Sequence, residues 1–152
     1  MKISYEVKGA DEIMAAFKQA PVIAARELNT AIKQVILIFL AQARIEAPVD
    51  RGFLRGPAMQ TSFGFLKGTL LNTAEYAYWV HEGTSPGHFP PLAAIEPWAK
   101  RHKIPAFLVA RKIFREGTQG TPFFQLALDK RDRQADSIFA KALENIINRL
   151  TE

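Results

Sequence analysis

Two prolines, Pro21 and Pro48, bracket a stretch whose apolar residues recur at helical spacing, and this stretch limits the possible folds more than any other. Proline suits the first position of a helix, and the residue before a proline avoids helical conformation, so the pattern predicts a helix entered at Pro21 and ended at about Ala47. Its inward stripe is Leu28, Ile32, Val35, Phe39 and Ala43, at steps of three and four. At 1.5 Å per residue such a helix is about 40 Å long. Within it Val35, Ile36, Leu37, Ile38, Phe39 and Leu40 are consecutive, so the helix is apolar round its whole circumference there. It must be covered on every side. The chain's own C-terminal helix and a neighbouring subunit are equal candidates for that cover.

The rest of the chain reads as one domain of 152 residues, long enough to bury a core of its own. Hydrophobic residues make up 48% and charged ones 23%, which excludes a mainly disordered state. With no cysteine, a disulfide framework and a zinc ribbon are both excluded. The opening MKISYEVKGADE lacks the apolar segment of a signal peptide, and the run at residues 35–41 is too short to cross a bilayer, so synthesis and assembly in the cytoplasm are expected.

Ahead of the long helix, Ile3, Tyr5 and Val7 alternate with polar residues as in a half-buried strand that ends at Gly9. Asp11 then caps a brief helix faced by Ile13, Met14 and Phe17, which Pro21 interrupts. After it, the segment PVDRGFLRGP at residues 48–57 is a loop. Met59, Thr61, Phe63 and Phe65 then share one face of a strand, Lys67 and Gly68 make a turn, and residues 69–73 return, giving a β-hairpin.

The hairpin leads into EYAYWVHEGTSP at residues 75–86. Tyr76, Tyr78 and Trp79 stand as an aromatic root, Gly83 reverses the chain, and Pro86, Gly87, Pro90 and Pro91 keep it irregular. This is expected to be a rigid loop suited to docking a partner. Residues 92–103 then form a helix with Ile95, Trp98 and Ala99 inward, bent or delayed by Pro97, and residues 107–116 a second one carrying Leu108, Ala110, Ile113 and Phe114. GTQGT at 117–121 reads as a flexible link, and Thr121 with Pro122 starts a last helix. Phe123, Phe124, Ala127 and Leu128 anchor that helix; residues 129–137 are solvated; Ile138, Phe139, Ala142, Leu143, Ile146, Ile147 and Leu150 form its second stripe. The order implies an α+β domain: a small antiparallel sheet, made of the N-terminal strand and the central hairpin, packed against a long N-terminal helix and C-terminal helices.

No active site is legible. His81, Glu82 and His88, with His102, are near enough in sequence to suggest a metal, but they lack the zincin spacing and lie in a Gly/Pro segment. Ser62 and Ser85 are not in a nucleophile-elbow pattern, and Gly117 and Gly120 lack the lysine of a phosphate loop. Neither cofactor nor metal is expected, and the chain is read as a non-enzyme. The net charge of +5 is mild, but Lys100, Arg101, Lys103, Arg111, Lys112 and Arg115 occur with no acidic residue among them. This basic patch could meet DNA phosphate, which makes a DNA-binding module the alternative reading.

Three stretches taken in order resemble the tail-completion and head-to-tail joining (neck) proteins of long-tailed phages, of the minor tail protein Z type. The first is Ala47-Pro48-Val49-Asp50-Arg51-Gly52-Phe53-Leu54-Arg55; the second is Tyr76-Ala77 with Val80 and Gly83-Thr84; the third is Gly117-Thr118 with Thr121-Pro122-Phe123-Phe124 and Ala127. Arg51 stands where the family more often has Thr, and His81-Glu82 replaces an acidic-then-aromatic pair. The resemblance implies a structural virion protein of a phage or prophage, a ring of six copies at the tail-neck junction that contacts tail-tube and connector proteins and no membrane. On this reading the subunit or partner interface takes in Ile36, Leu37 and Ile38 of the long helix, then Tyr76, Tyr78, Trp79, His81, Glu82, Gly83 and Thr84, and His88 and Phe89 of the following loop.

Overall fold

The computed structural model describes residues 10–151, with side chains from Lys18 onward. The strand expected at Ile3, Tyr5 and Val7 lies outside the described residues. In chain order the elements are α1 (Ala10–Glu46), β1 (Met59–Gly64), β2 (Lys67–Asn72), α2 (Ala77–Glu82), β3 (Gly83–Thr84), α3 (Leu92–Arg101), α4 (Ala106–Glu116), β4 (Thr118–Gln119) and α5 (Phe123–Thr151). The architecture is α+β, as expected, with β1 paired to β2 and β3 to β4 in two separate sheets. The chain divides into two compact units. One takes in α1 as far as Gln42, Thr61–Leu70 and α5 from Leu128; the other takes in Ala43–Gln60 and Leu71–Ala127.

α1 corrects the expectation of two helices. It runs unbroken for 37 residues through Pro21, and Asp11 lies inside it instead of capping it. A proline in a helix interior forfeits one backbone hydrogen bond and costs about 3 kcal/mol. The sequence on both sides is free of glycine and rich in alanine, which favours continuing the helix.

In the first unit, α5 lies antiparallel along α1. Arg131 Nε donates to Gln42 Oε1 at 2.9 Å at one end, and Asn145 Nδ2 donates to Glu27 Oε2 at 3.3 Å near the other, where Arg149 also pairs with Glu27. Ala31 and Val35 of α1 and Ala135 and Ala142 of α5 are buried along this seam. The buried stripe passes through Ala31, whereas Leu28 and Ile32, which were expected in it, are half-buried. Gln42 is buried but satisfied by Arg131.

A second side of α1 is covered by the hairpin. A Cβ added to Gly68 would stand 2.6 Å from Ile36 Cγ1 and 2.8 Å from Ile32 Cγ2, so glycine is there to let β2 sit against the helix. This corrects the turn, which falls at Phe65 and Leu66, between β1 and β2, and leaves Lys67 and Gly68 within the strand. Leu66 takes φ +49° and donates its N–H to Asn29 Oδ1 of α1 at 2.8 Å. The all-round apolar segment is therefore covered mainly by the chain itself. Ile36 and Ile38 are half-buried, while Leu37 remains 51% exposed. In α5, Leu143 and Ile147 of the apolar stripe are exposed too.

In the second unit the loop after α1 is stitched to the helix end. Arg55 Nη2 donates to the carbonyls of Ile45 and Ala47, both at 3.1 Å, satisfying acceptors that a helix C-terminus leaves open. Leu54 beside it is buried, and Asn72 Nδ2 donates to its carbonyl at 2.8 Å. We expect Arg55→Ala to lower unfolding stability by about 1–2 kcal/mol, as for lost charge-assisted hydrogen bonds to an exposed and a part-buried carbonyl at a helix end. Arg55→Lys should recover little of it, because an ammonium cannot reproduce the planar fork. Chemical denaturation checks this; equal stability of the alanine variant and the parent would contradict it.

Candidate interface groove

The segment EYAYWVHEGTSP is a short helix followed by a strand, not the loop expected from its sequence. Ala77 N–H donates to Ala74 O and Val80 N–H to Tyr76 O, so the aromatics fall on a helical turn. With this period Ala77 and His81, four apart, turn inward, and Tyr78, Trp79 and Glu82 turn outward. Ala77 is buried, whereas Tyr78 and Trp79 are 64% and 56% exposed. The aromatics are therefore a presented surface instead of a root. The pair stacks edge to face at 5.1 Å.

His81 supplies the inward anchor. Its ring lies edge-on to Phe123 at 5.0 Å, and its Nδ1 sits 2.8 Å from Glu82 Oε1, which makes that nitrogen the donor. Phe123 is fully buried at 1% exposure. α2 is thus pinned to the start of α5, and Thr121 N–H donates to Val80 O at 2.8 Å to close the same junction.

The GTQGT segment, expected to be a flexible link, is the other half of a clasp. Gly83 pairs with Gln119 and Thr84 with Thr118 in antiparallel register, and the two threonine hydroxyls meet at 2.9 Å. Gly83 and Gly117 take φ of +81° and +72°. A Cβ would stand 2.3 Å from Thr118 O at Gly83 and 2.0 Å from Thr84 O at Gly117, so neither position accepts a side chain. The loop after β3 is fastened in turn to α4. Gly87 N–H donates to Phe114 O at 2.7 Å, and Phe89 lies 6.2 Å from both Phe107 and Phe114.

These elements wall an apolar groove of about 710 Å³, with Val80, Pro91, Ala94, Ile95 and Ile113 inside and Trp79 at its side. A second groove of about 590 Å³ lies between the loop after α1 and α3, and the two share Pro48, Tyr76, Val80 and Ala94. Asp50 pairs with Arg101, tying that loop to α3, and its other oxygen is 4.0 Å from His102 Nε2. Of the expected interface residues, Tyr76, Tyr78, Trp79, Glu82, His88 and Phe89 are exposed; Gly83 is buried, and His81 and Thr84 are half-buried. Sequence reading missed Ala94, Ile95 and Ile113, whose spacing on α3 and α4 announces only an apolar face.

The expected helix over residues 92–103 ends at Arg101, because Lys103 takes φ +57°. This divides the basic patch. Arg101 pairs with Asp50 and Lys100 with Glu96, while Lys103, Arg111, Lys112 and Arg115 are exposed and make no ion pair with a described residue. Trp98, expected inward, is partly exposed and instead stacks on His102 at 4.1 Å. Among the described residues no group of three or more His, Cys, Asp or Glu could hold a metal, and no helix is long and apolar enough to cross a membrane. Comparison with protein-family models, with curated proteins and with solved structures finds no match.

The clasp yields a sharp contrast. Gly87 has φ +97° but open space around it, so Gly87→Ala should cost about 1–2 kcal/mol from backbone strain alone. Gly117→Ala adds a backbone collision and should lower the thermal midpoint clearly further. Equal midpoints for the two variants would contradict the clasp.

Proposed function

We propose that this chain is a structural component of a phage or prophage virion, a tail-completion or head-to-tail joining protein that closes into a ring of six copies where the tail meets the neck. The observation that carries the reading is the convergence, within one unit, of the three stretches on which the resemblance rests. Gly83-Thr84 pairs with Thr118 and Gln119, Thr121 is bonded to Val80, and residues 48–54 share a groove with Tyr76 and Val80. Residues distant in sequence are thus the joints of one framework, which is what an ordered set of loose motifs should encode if the resemblance is real.

The exposed surface supports the same reading. Tyr76, Tyr78, Trp79 and Phe89 stand on the surface beside an apolar groove, an arrangement of the kind that a protein neighbour covers. The role has no catalytic step and needs no cofactor. Its partners are further copies of itself, the tail tube and the connector, and it acts in the virion after assembly in the host cytoplasm.

A second reading, contact with DNA, is favoured by the four cations on and before α4 that lack a carboxylate partner among the described residues. One set of experiments separates the two. Light scattering of the purified protein over a range of concentration and salt should give a discrete mass near six times 17.0 kDa. A monomer throughout, together with salt-dependent duplex binding abolished by Arg111→Glu and Lys112→Glu, would replace the ring with the DNA module.

A further inference from the structure

Charge is segregated along the second unit in a way that contacts within the chain do not use up. Between Lys67 and Lys100 there is no lysine or arginine, and the acidic residues are Glu75, Glu82 and Glu96; from Lys100 to Arg115 there are six cations and no acidic residue. Lys100 pairs with Glu96 and Arg101 with Asp50, which leaves Lys103, Arg111, Lys112, Arg115 and Glu75 without an ion pair to a described residue. We infer that the outward face of α4 in one copy docks on the outward face of α2 in a second copy. The inference rests on the self-assembly proposed above and names the surfaces that meet.

Both faces are built at helical spacing. On α4 the inner positions are Ala110, which is buried, and Val109 and Ile113, which are half-buried; Leu108, Arg111, Lys112 and Arg115 therefore turn outward at i, i+3, i+4 and i+7, and all four are exposed. On α2 the inner positions are Ala77 and His81. The turn in which Ala77 N–H donates to Ala74 O brings Glu75 into the same spacing with Tyr78, Trp79 and Glu82, and these four are exposed too. One face is thus three cations beside a leucine, and the other is two carboxylates flanking two aromatic rings. A guanidinium lying on Tyr78 or Trp79 gains cation–π attraction while it reaches a carboxylate, and arginine suits both contacts. Glu82 accepts from His81 Nδ1 through one oxygen and is still 56% exposed, so its carboxylate is held in place yet can be reached. The surroundings keep the sign of the field. The hollow of about 740 Å³ between α2 and the loop after β3 has Glu82 as its one acidic lining residue and no lysine or arginine. The apolar groups on α4 favour a protein over DNA as the partner: Phe107 and Leu108, 53% and 48% exposed, stand beside the cations, where phosphate would leave them in water and aromatic rings cover them. Because the two faces differ, the contact can be repeated from copy to copy, as a closed ring requires.

Charge reversal tests this contact with its own control. Glu75→Lys/Glu82→Lys makes the α2 face basic, Arg111→Glu/Arg115→Glu makes the α4 face acidic, and each variant alone then sets like charge against like. By light scattering, each should need a concentration about tenfold higher than the parent or more to assemble, with its monomer still folded by circular dichroism. Mixed in equal amounts, the two variants set opposite charges together at every contact between unlike copies, and the multimer of the parent should return. Glu75→Lys by itself, which leaves the His81–Glu82 pair intact, should weaken assembly in the same direction. Assembly of either double variant at the parent's concentration, or a mixture that stays monomeric although both variants are folded, would overturn this contact and leave the ring standing. Loss of duplex DNA binding in Arg111→Glu/Arg115→Glu with no change in its mass would assign the α4 face to DNA and overturn it as well. If the parent forms no multimer at any concentration, the ring proposal and this contact fail together.

Discussion

The second unit depends on a backbone pairing only two residues long. Gly83 and Thr84 meet Gln119 and Thr118, and the contact is so close that a methyl group at Gly83 or Gly117 would collide with a carbonyl oxygen of the opposite strand. So short a ladder contributes little by itself. Its importance lies in what it joins: α2 on one side, α4 and the entry to α5 on the other. Val80 and Thr121 continue the pairing, His81 rests on Phe123, and Gly87 is bonded to the end of α4. The groove walls are fixed in consequence.

Packing in both units follows a pattern that explains the surface. Eleven of the fifteen buried apolar residues described are alanines, and Phe123 is the only large side chain among them below 2% exposure. Backbones approach closely through alanine and glycine, and the larger apolar groups are left outside, as Phe65, Tyr78, Trp79 and Phe107 are. Burial of a large side chain is worth about 1.5–3 kcal/mol, so a surface of this kind retains much unspent driving force for association.

The sequence made some of this legible and concealed the rest. The C-terminal end of α1, the presence of α3, the end of α4 at Gly117 and a special backbone position at Gly83 follow from proline, glycine and helical spacing. Pro21 misled because a rule about one residue was outweighed by the helix-forming residues around it. Gly68 looked like a turn residue, but it serves close approach to Ile32 and Ile36, which no local pattern reveals. GTQGT looked like a linker because its partner strand lies 34 residues earlier, at Thr84. Tyr76, Tyr78 and Trp79 were read as an anchor; only the helical period of α2 shows that Ala77 and His81 take the inner positions.

The central claim is that the outward aromatics of α2 border a surface that assembly closes. Trp79 and Trp98 are the two tryptophans, so a Trp98→Phe variant makes Trp79 the sole reporter. Its fluorescence, followed from dilute solution up through the concentration at which the mass rises, should move to shorter wavelength and lose accessibility to a soluble quencher. A Trp79 that remains as exposed in the multimer as in the monomer would contradict the account.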